Sequence, residues 1–259
     1  MPLETTTEPL SPIVLALSMA LLLLVNPEPA AGDSTTVSDS RQVYSGTSPD
    51  WLQAIGRLQV PGIKLENGRR TQHFEDCSAT LISGAPDTRA DIIVTAWHCL
   101  ESYSDLSKAI SFTLKPAQGE PISSEAYRLI DGGGMHADWA ILRLYTPISA
   151  DRINFLQVNP GIPDKKRQIA MAGFSRDAGM GKHGTQLTYD PACTITAQSG
   201  QSSVSDCRAY KGASGGAVVQ LSEQGQAWFS GVISAGDGNG VSTFVPISDF
   251  RVAVTQYLH

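Results

Sequence analysis

A glycine-framed serine, Gly212-Ala213-Ser214-Gly215-Gly216, lies more than a hundred residues after Thr95-Ala96-Trp97-His98-Cys99, and Asp138 opens an apolar run (139–144) between them. A serine hydroxyl is a poor nucleophile near neutral pH. It needs a base to take its proton and a carboxylate to orient that base. If these three residues act together, the fold must bring distant stretches of chain to one point, which a local motif cannot do. Taken singly, each has a bland reading, the serine as a glycine-rich turn and the histidine as a structural neighbour of Cys99. Their conjunction, with the apolar runs 92–94 before the histidine and 217–220 after the serine loop, argues against that origin.

The order along the chain narrows the architecture. Gly-x-Ser-x-Gly also marks the nucleophile turn of α/β-hydrolases, but there the acid and the histidine follow the serine. Here forty-five residues follow Ser214 and they hold a single histidine, His259. The order His98, Asp138, Ser214, with the motifs around each, resembles the trypsin/chymotrypsin-type serine proteases, and the bacterial secreted branch more than the digestive enzymes. The resemblance covers residues 51–259. It implies an all-β fold of two six-stranded antiparallel Greek-key β-barrels with a C-terminal helix. It also implies a catalytic triad of His98, Asp138 and Ser214 and an oxyanion hole of the Gly212 and Ser214 amides. Asp131 is the competing acid, but it precedes Gly132-Gly133-Gly134, a turn signal, whereas Asp138 directly precedes an apolar strand. His73, His136 and His183 read as surface residues.

Composition agrees with such a fold. Apolar content of 41% with 24 glycines and 15 prolines suits many short strands joined by turns. Expected strands lie at 52–60, 77–82, 92–95, 109–114, 126–130 and 140–144 in one half. In the other they lie at 168–174, 186–189, 193–198, 217–221, 227–234 and 240–245. The organisation expected is a first barrel at 51–147, a Pro- and Gly-rich crossover at 148–166 and a second barrel at 167–259. A last helix is expected to start at Ser248, capped by its hydroxyl, and to run through Leu258. The net charge is −6, and no basic stripe suggests nucleic-acid binding.

Residues 13–25 are almost wholly apolar, the length of a signal-peptide core and short for a membrane span. The stretch before them carries Glu4 and Glu8 and no positive charge. Cleavage near Ala31 is expected, with an uncleaved anchor as the alternative. Residues 32–50 then read as a linker or short propeptide. The product would be secreted or periplasmic, monomeric, and free of the membrane after cleavage, with a protein or peptide as substrate and no cofactor or metal.

Four cysteines behind a signal segment favour disulfides, and sequence alone leaves three pairings open. The resemblance implies Cys77 with Cys99 at the histidine loop, which leaves Cys193 with Cys207. It also places the substrate pocket at Arg208, Ala209, Ser234, Ala235, Gly236 and Gly240, with Ser234 bonded to Asp138. Arg208 stands where trypsin-like members carry an Asp that binds Lys or Arg, so that specificity is not supported. An apolar or medium-sized side chain is the first expectation, and an acidic one drawn by Arg208 or Lys211 is the alternative. Ala213 stands where the digestive enzymes carry the Asp that receives a newly cut amino terminus. The Gly212 amide would then be set by its local turn and the Cys193–Cys207 bridge, with no exact N-terminus required. A catalytically silent binding protein on this fold, or an esterase using the same triad, are the other functions considered.

Overall fold

The computed structural model describes residues 38–84, 89–104 and 107–258. The signal segment and residues 32–37 of the expected linker lie outside them. The chain enters through β1 (Gln42–Val43) and a 3₁₀ turn (Asp50–Ala54). It then builds β2 (Ile55–Glu66), β3 (Arg69–Ser83), β4 (Arg89–Thr95), β5 (Ile110–Leu114), β6 (Ile122–Asp131) and β7 (Ala140–Ser149). These six close on themselves through antiparallel ladders in the ring β2-β3-β4-β7-β6-β5. Strict alternation drives the closure. In β5 every second residue, Ile110, Phe112 and Leu114, is fully buried, because successive side chains of a strand point to opposite faces.

β2 and β3 run well past the expected strands. They form one long hairpin turned at Asn67-Gly68, both with positive φ (51° and 76°). Asn-Gly is the strongest short hairpin signal because a type I′ turn needs left-handed backbone at both positions.

The crossover is not structureless. It carries β8 (Leu156–Val158), which pairs in parallel with β3 on one side and with β14 (Ala227–Gly236) on the other, stitching the two barrels together. The second barrel contains β9 (Ile169–Gly173), β10 (Thr188–Cys193), β11 (Ile195–Ser199), β12 (Ser202–Ser205), β13 (Ala217–Leu221), β14 and β15 (Ser242–Pro246). β10 and β11 are consecutive halves of one run interrupted at Thr194, so the ring β10/β11-β9-β13-β14-β15-β12 is again six-membered. β9 and β13 are buried on both faces. Ile169, Met171 and Val218 point into a compact second core, while Ala172, Ala217 and Val219 join the larger core shared with the first barrel.

The last helix is shorter than expected. A 3₁₀ turn (Ile247–Asp249) comes first and α1 spans only Arg251–Thr255. Ile247 and Phe250 are both buried, and their three-residue spacing suits a 3₁₀ turn closed by the Phe250 amide on the Ile247 carbonyl. The Ser248 hydroxyl donates to Asp249 Oδ1 at 3.1 Å and caps nothing. Phe250 stacks on Trp139 with ring centroids 5.2 Å apart, which braces the strand that follows Asp138.

Residues 39–43 also depart from the linker reading. Gln42 and Val43 pair with Tyr189 and Thr188, and Arg41 is 4% exposed. Among the described residues no helix is long and apolar enough to cross a membrane.

Candidate active site

His98 sits in a 3₁₀ turn (Trp97–Leu100) directly after β4, tied down by the Cys77–Cys99 disulfide beside it. Its backbone N–H donates to Asp138 Oδ1 at 2.9 Å and its ring Nδ1 lies 2.9 Å from Oδ2. A carboxylate only accepts, so Nδ1 carries the proton and Nε2 is left as the free lone pair. Asp138 is 1% exposed. Burial alone would raise its pKa, but the hydrogen bonds and charge of His98 and the Ser234 hydroxyl at 2.5 Å outweigh it and hold the group below the ordinary carboxylate value.

The segment before Asp138 is folded tightly. A side chain at Gly132 would meet the Ala137 carbonyl at 1.9 Å, and the Gly132 N–H donates to the Trp139 carbonyl at 2.9 Å. Asp131 is kept away from the imidazole. It caps its own turn on the Gly133 N–H at 2.8 Å and pairs with Arg128.

Ser214 stands in the turn between β12 and β13. Gly215 is left-handed (φ +84°), and a Cβ there would strike the Ser78 carbonyl at 2.1 Å and Thr95 Oγ1 at 2.2 Å. Only glycine allows this approach of the second barrel to the first. The Ser214 carbonyl accepts from the Ser78 N–H at 2.8 Å, and its hydroxyl donates to the Ser234 carbonyl at 3.2 Å. Ser234 therefore touches both the buried acid, through its hydroxyl, and the candidate nucleophile, through its carbonyl.

The preceding peptide is fixed from two sides. The Arg176 N–H donates to the Lys211 carbonyl at 2.7 Å. In a trans peptide C=O and N–H point oppositely, so the Gly212 N–H faces away from Arg176. The buried Ser78 hydroxyl accepts from the Phe174 N–H at 2.8 Å and donates to the Gly212 carbonyl at 2.9 Å. These ties, with the Ala213 N–H on the Tyr210 carbonyl at 3.0 Å, set Gly212. Sequence reasoning credited the turn and missed Ser78 and Arg176. The Cys193–Cys207 disulfide also forms.

His98 and Ser214 open onto one cleft with a volume of about 360 Å³. Of the expected pocket residues, Ser234, Ala235 and Gly236 line it, whereas Arg208, Ala209 and Gly240 do not. Ala209 is buried behind the wall, where its carbonyl would meet a side chain on Gly236 at 2.3 Å and accepts the Gly238 N–H at 3.0 Å. The Arg208 N–H is directed to Asp190 at 2.9 Å, and Gly240 turns the chain at φ +109°. Tyr210, Lys211, Ile233 and Met135 complete the lining. Of these, Lys211 was expected near the pocket on its charge, whereas Tyr210, Ile233 and Met135 had only their adjacency to Gly212, Ser234 and the Gly132–Gly134 turn as a signal. Cys77, Cys99 and His98 cluster closely, but both sulfurs are spent in the disulfide and offer no thiolate to a metal.

No curated protein sequence matches the chain significantly. The family model for the trypsin-like peptidase domain matches residues 77–227, which includes His98, Asp138, Ser214 and all four cysteines. Spanning more than half of the 259 residues, the match agrees with the mostly-β fold and its C-terminal helix, and the chain belongs to the trypsin-like peptidase domain family.

Proposed function

We propose that this peptidase is a secreted serine endopeptidase that cleaves peptide bonds through an acyl-enzyme on Ser214. The observation that carries the reading is the convergence on Ser234. Its hydroxyl holds the buried carboxylate that orients His98 and its carbonyl holds the Ser214 hydroxyl, so one residue ties the acid to the cleft that His98 and Ser214 share.

In this mechanism substrate turns the Ser214 hydroxyl from the Ser234 carbonyl to His98 Nε2. As Oγ attacks the peptide carbonyl, Nε2 takes its proton, and Asp138 stabilises the resulting imidazolium without itself being protonated. The carbonyl oxygen becomes an oxyanion held by the Gly212 and Ser214 amides, an interaction for which one donor is typically worth about 3 kcal/mol. Collapse of the tetrahedral adduct breaks the C–N bond, and His98 returns its proton to the leaving amine. Water then repeats the sequence on the acyl-enzyme and frees Ser214. Two disulfides fit an oxidising compartment outside the cytosol.

The pocket favours small or medium apolar side chains. Ile233, Ala235 and the Tyr210 ring offer apolar contact, and Gly236 packs directly on the Ala209 backbone, which leaves no side chain at that point of the wall. A fluorophosphonate probe tests the chemistry, and mass mapping should place the adduct on Ser214. A peptide-library digest should then show internal cleavage after small or medium apolar residues. An unlabelled Ser214 would sink the enzyme reading in favour of a silent binding protein, and labelling with ester but no peptide hydrolysis would make it an esterase.

A further inference from the structure

Ahead of the first barrel, three successive residues are fastened to the second. The Ser40 hydroxyl donates to Asp190 Oδ2 at 2.8 Å, the oxygen that also takes the Arg208 N–H. Gln42 Oε1 accepts the Tyr189 hydroxyl at 2.6 Å. Between them the Arg41 guanidinium is buried. Its Nε and Nη2 grip Asp39 as a fork (3.0 and 2.7 Å), Nη1 reaches Asp177 at 2.8 Å, and the group lies 4.0 Å from the centroid of the Tyr210 ring. Only a planar guanidinium can bind two carboxylates in its plane and stack on an aromatic face at once.

Two of the three Arg41 contacts, Asp177 and the Tyr210 ring, lead to the same peptide. Asp177 organises its loop by accepting the Gly181 N–H on its side chain and the His183 N–H on its carbonyl. That loop holds two non-glycine residues in left-handed conformation, Lys182 (φ 43°) and His183 (φ 57°). Such a conformation persists only where surrounding contacts enforce it. The loop presents the Arg176 N–H that orients the Lys211 carbonyl, and hence the Gly212 amide. Tyr210, under the guanidinium, is the residue on the other side of Lys211. Ala213 is 2% exposed and offers a methyl group where an ammonium would need a carboxylate.

We propose that Arg41 is a positioning residue for the oxyanion hole, an internal cation carried by the amino-terminal strand, so that activity requires retention of residues 39–43 and no freed amino terminus. This rests on the serine-peptidase reading and adds a regulatory consequence to it. A cut that releases the segment through Val43 would switch the enzyme off, whereas trimming ahead of residue 39 would leave it on.

The test compares chains beginning at residues 32, 36, 39 and 44 with full-length Arg41→Met, Arg41→Lys and Asp177→Asn. Starts at 32, 36 and 39 should turn over a small peptide ester equally. The start at 44 and Arg41→Met should lose on the order of 100-fold in kcat, as for removal of one oxyanion donor. KM should stay within about threefold and the affinity for a peptide boronate should fall in step with kcat. Arg41→Lys and Asp177→Asn should fall between, and millimolar guanidinium ion should partly rescue Arg41→Met. Hydrogen exchange of segments 174–186 and 208–214 should quicken in Arg41→Met while the first barrel is unchanged. Parent-like kcat in Arg41→Met, or a loss explained entirely by a smaller folded fraction, would overturn the proposal. Should the parent itself neither label nor turn over, the peptidase reading fails separately. The exchange pattern then decides Arg41 alone, and unchanged exchange at 208–214 refutes it.

Discussion

In the first barrel β2 and β3 reach 12 and 15 residues, and the imidazole and the acid sit just past or just before a strand, His98 after β4 and Asp138 before β7. In the second barrel the longest strand has 10 residues, and Ser214 sits in a turn containing left-handed Gly212 and Gly215. One half thus fixes its groups by continuous ladders. The other fixes them by separate ties that converge from elsewhere, namely Ser78 from the first barrel, Arg176 from the 175–184 loop and Ser234 from β14. A ladder makes position cheap because each bond supports the next. A glycine turn permits the unusual backbone a nucleophile needs, but it specifies that backbone only through its contacts.

The largest expected effect separates chemistry from scaffold. Ser214→Ala and His98→Ala should each lower kcat by a factor of about 10⁴ or more. Their stabilities should differ. Ser214→Ala removes one bond to a carbonyl and should melt like the parent. His98→Ala strips a buried carboxylate of its ring partner, leaving the His98 backbone N–H and the Ser234 hydroxyl, and should unfold at lower urea. Activity above about a hundredth of the parent in either variant would refute the triad. Equal stability of the two would show that Asp138 does not depend on the ring.

Ser78→Ala tests whether the first barrel really sets the turn in the second. The substitution leaves the Phe174 N–H and the Gly212 carbonyl without their buried partner, at about 1–3 kcal/mol. If that cost is expressed as a misplaced Gly212 amide, kcat should fall about 10- to 100-fold with KM little changed. A stability loss with parent-like kcat would mean that the turn holds itself, and the contrast between the barrels would weaken.

The same contrast explains what the sequence could reveal. The candidate triad of His98, Asp138 and Ser214 stood out because triad chemistry restricts residue type and chain order, and the closed rings because apolar residues alternate, as in β5. Ser78 was not legible, because a serine after a cysteine has no periodic or chemical signature until the fold lays it against Gly212. Arg41 was hidden in the same way. In a Ser/Thr/Asp-rich stretch it reads as linker, and only burial between Asp177 and Tyr210 gives it a role. The wall at Ala209 failed for a third reason. Ala209 lies in irregular chain between β12 and β13, and which way it faces follows from the packing of Gly236 on its backbone, which spacing alone does not encode.

The smallest effect is acid sensitivity. Asp177 would be raised by burial, but hydrogen bonds from Arg41 and the Gly181 amide hold it below the ordinary aspartate value, and the Arg41 fork lowers Asp39. A carboxyl whose folded pKa lies below its unfolded value of about 4 contributes stability that is present above that value and lost as pH falls through the lowered one. Asp249 runs the other way, since burial pushes it up despite the Ser248 hydroxyl, and it regains stability on protonation. Urea unfolding at pH 5 and pH 3 should therefore show a parent that loses stability in acid and an Asp177→Asn variant that starts weaker at pH 5 and loses less. Asp138 and Glu75, also lowered and both in the first barrel, contribute equally to parent and variant and cancel in the difference. If the two proteins lose the same amount, Asp177 is not an ionised partner of Arg41 above pH 4, and the Gly212–Gly215 turn is held without that charge.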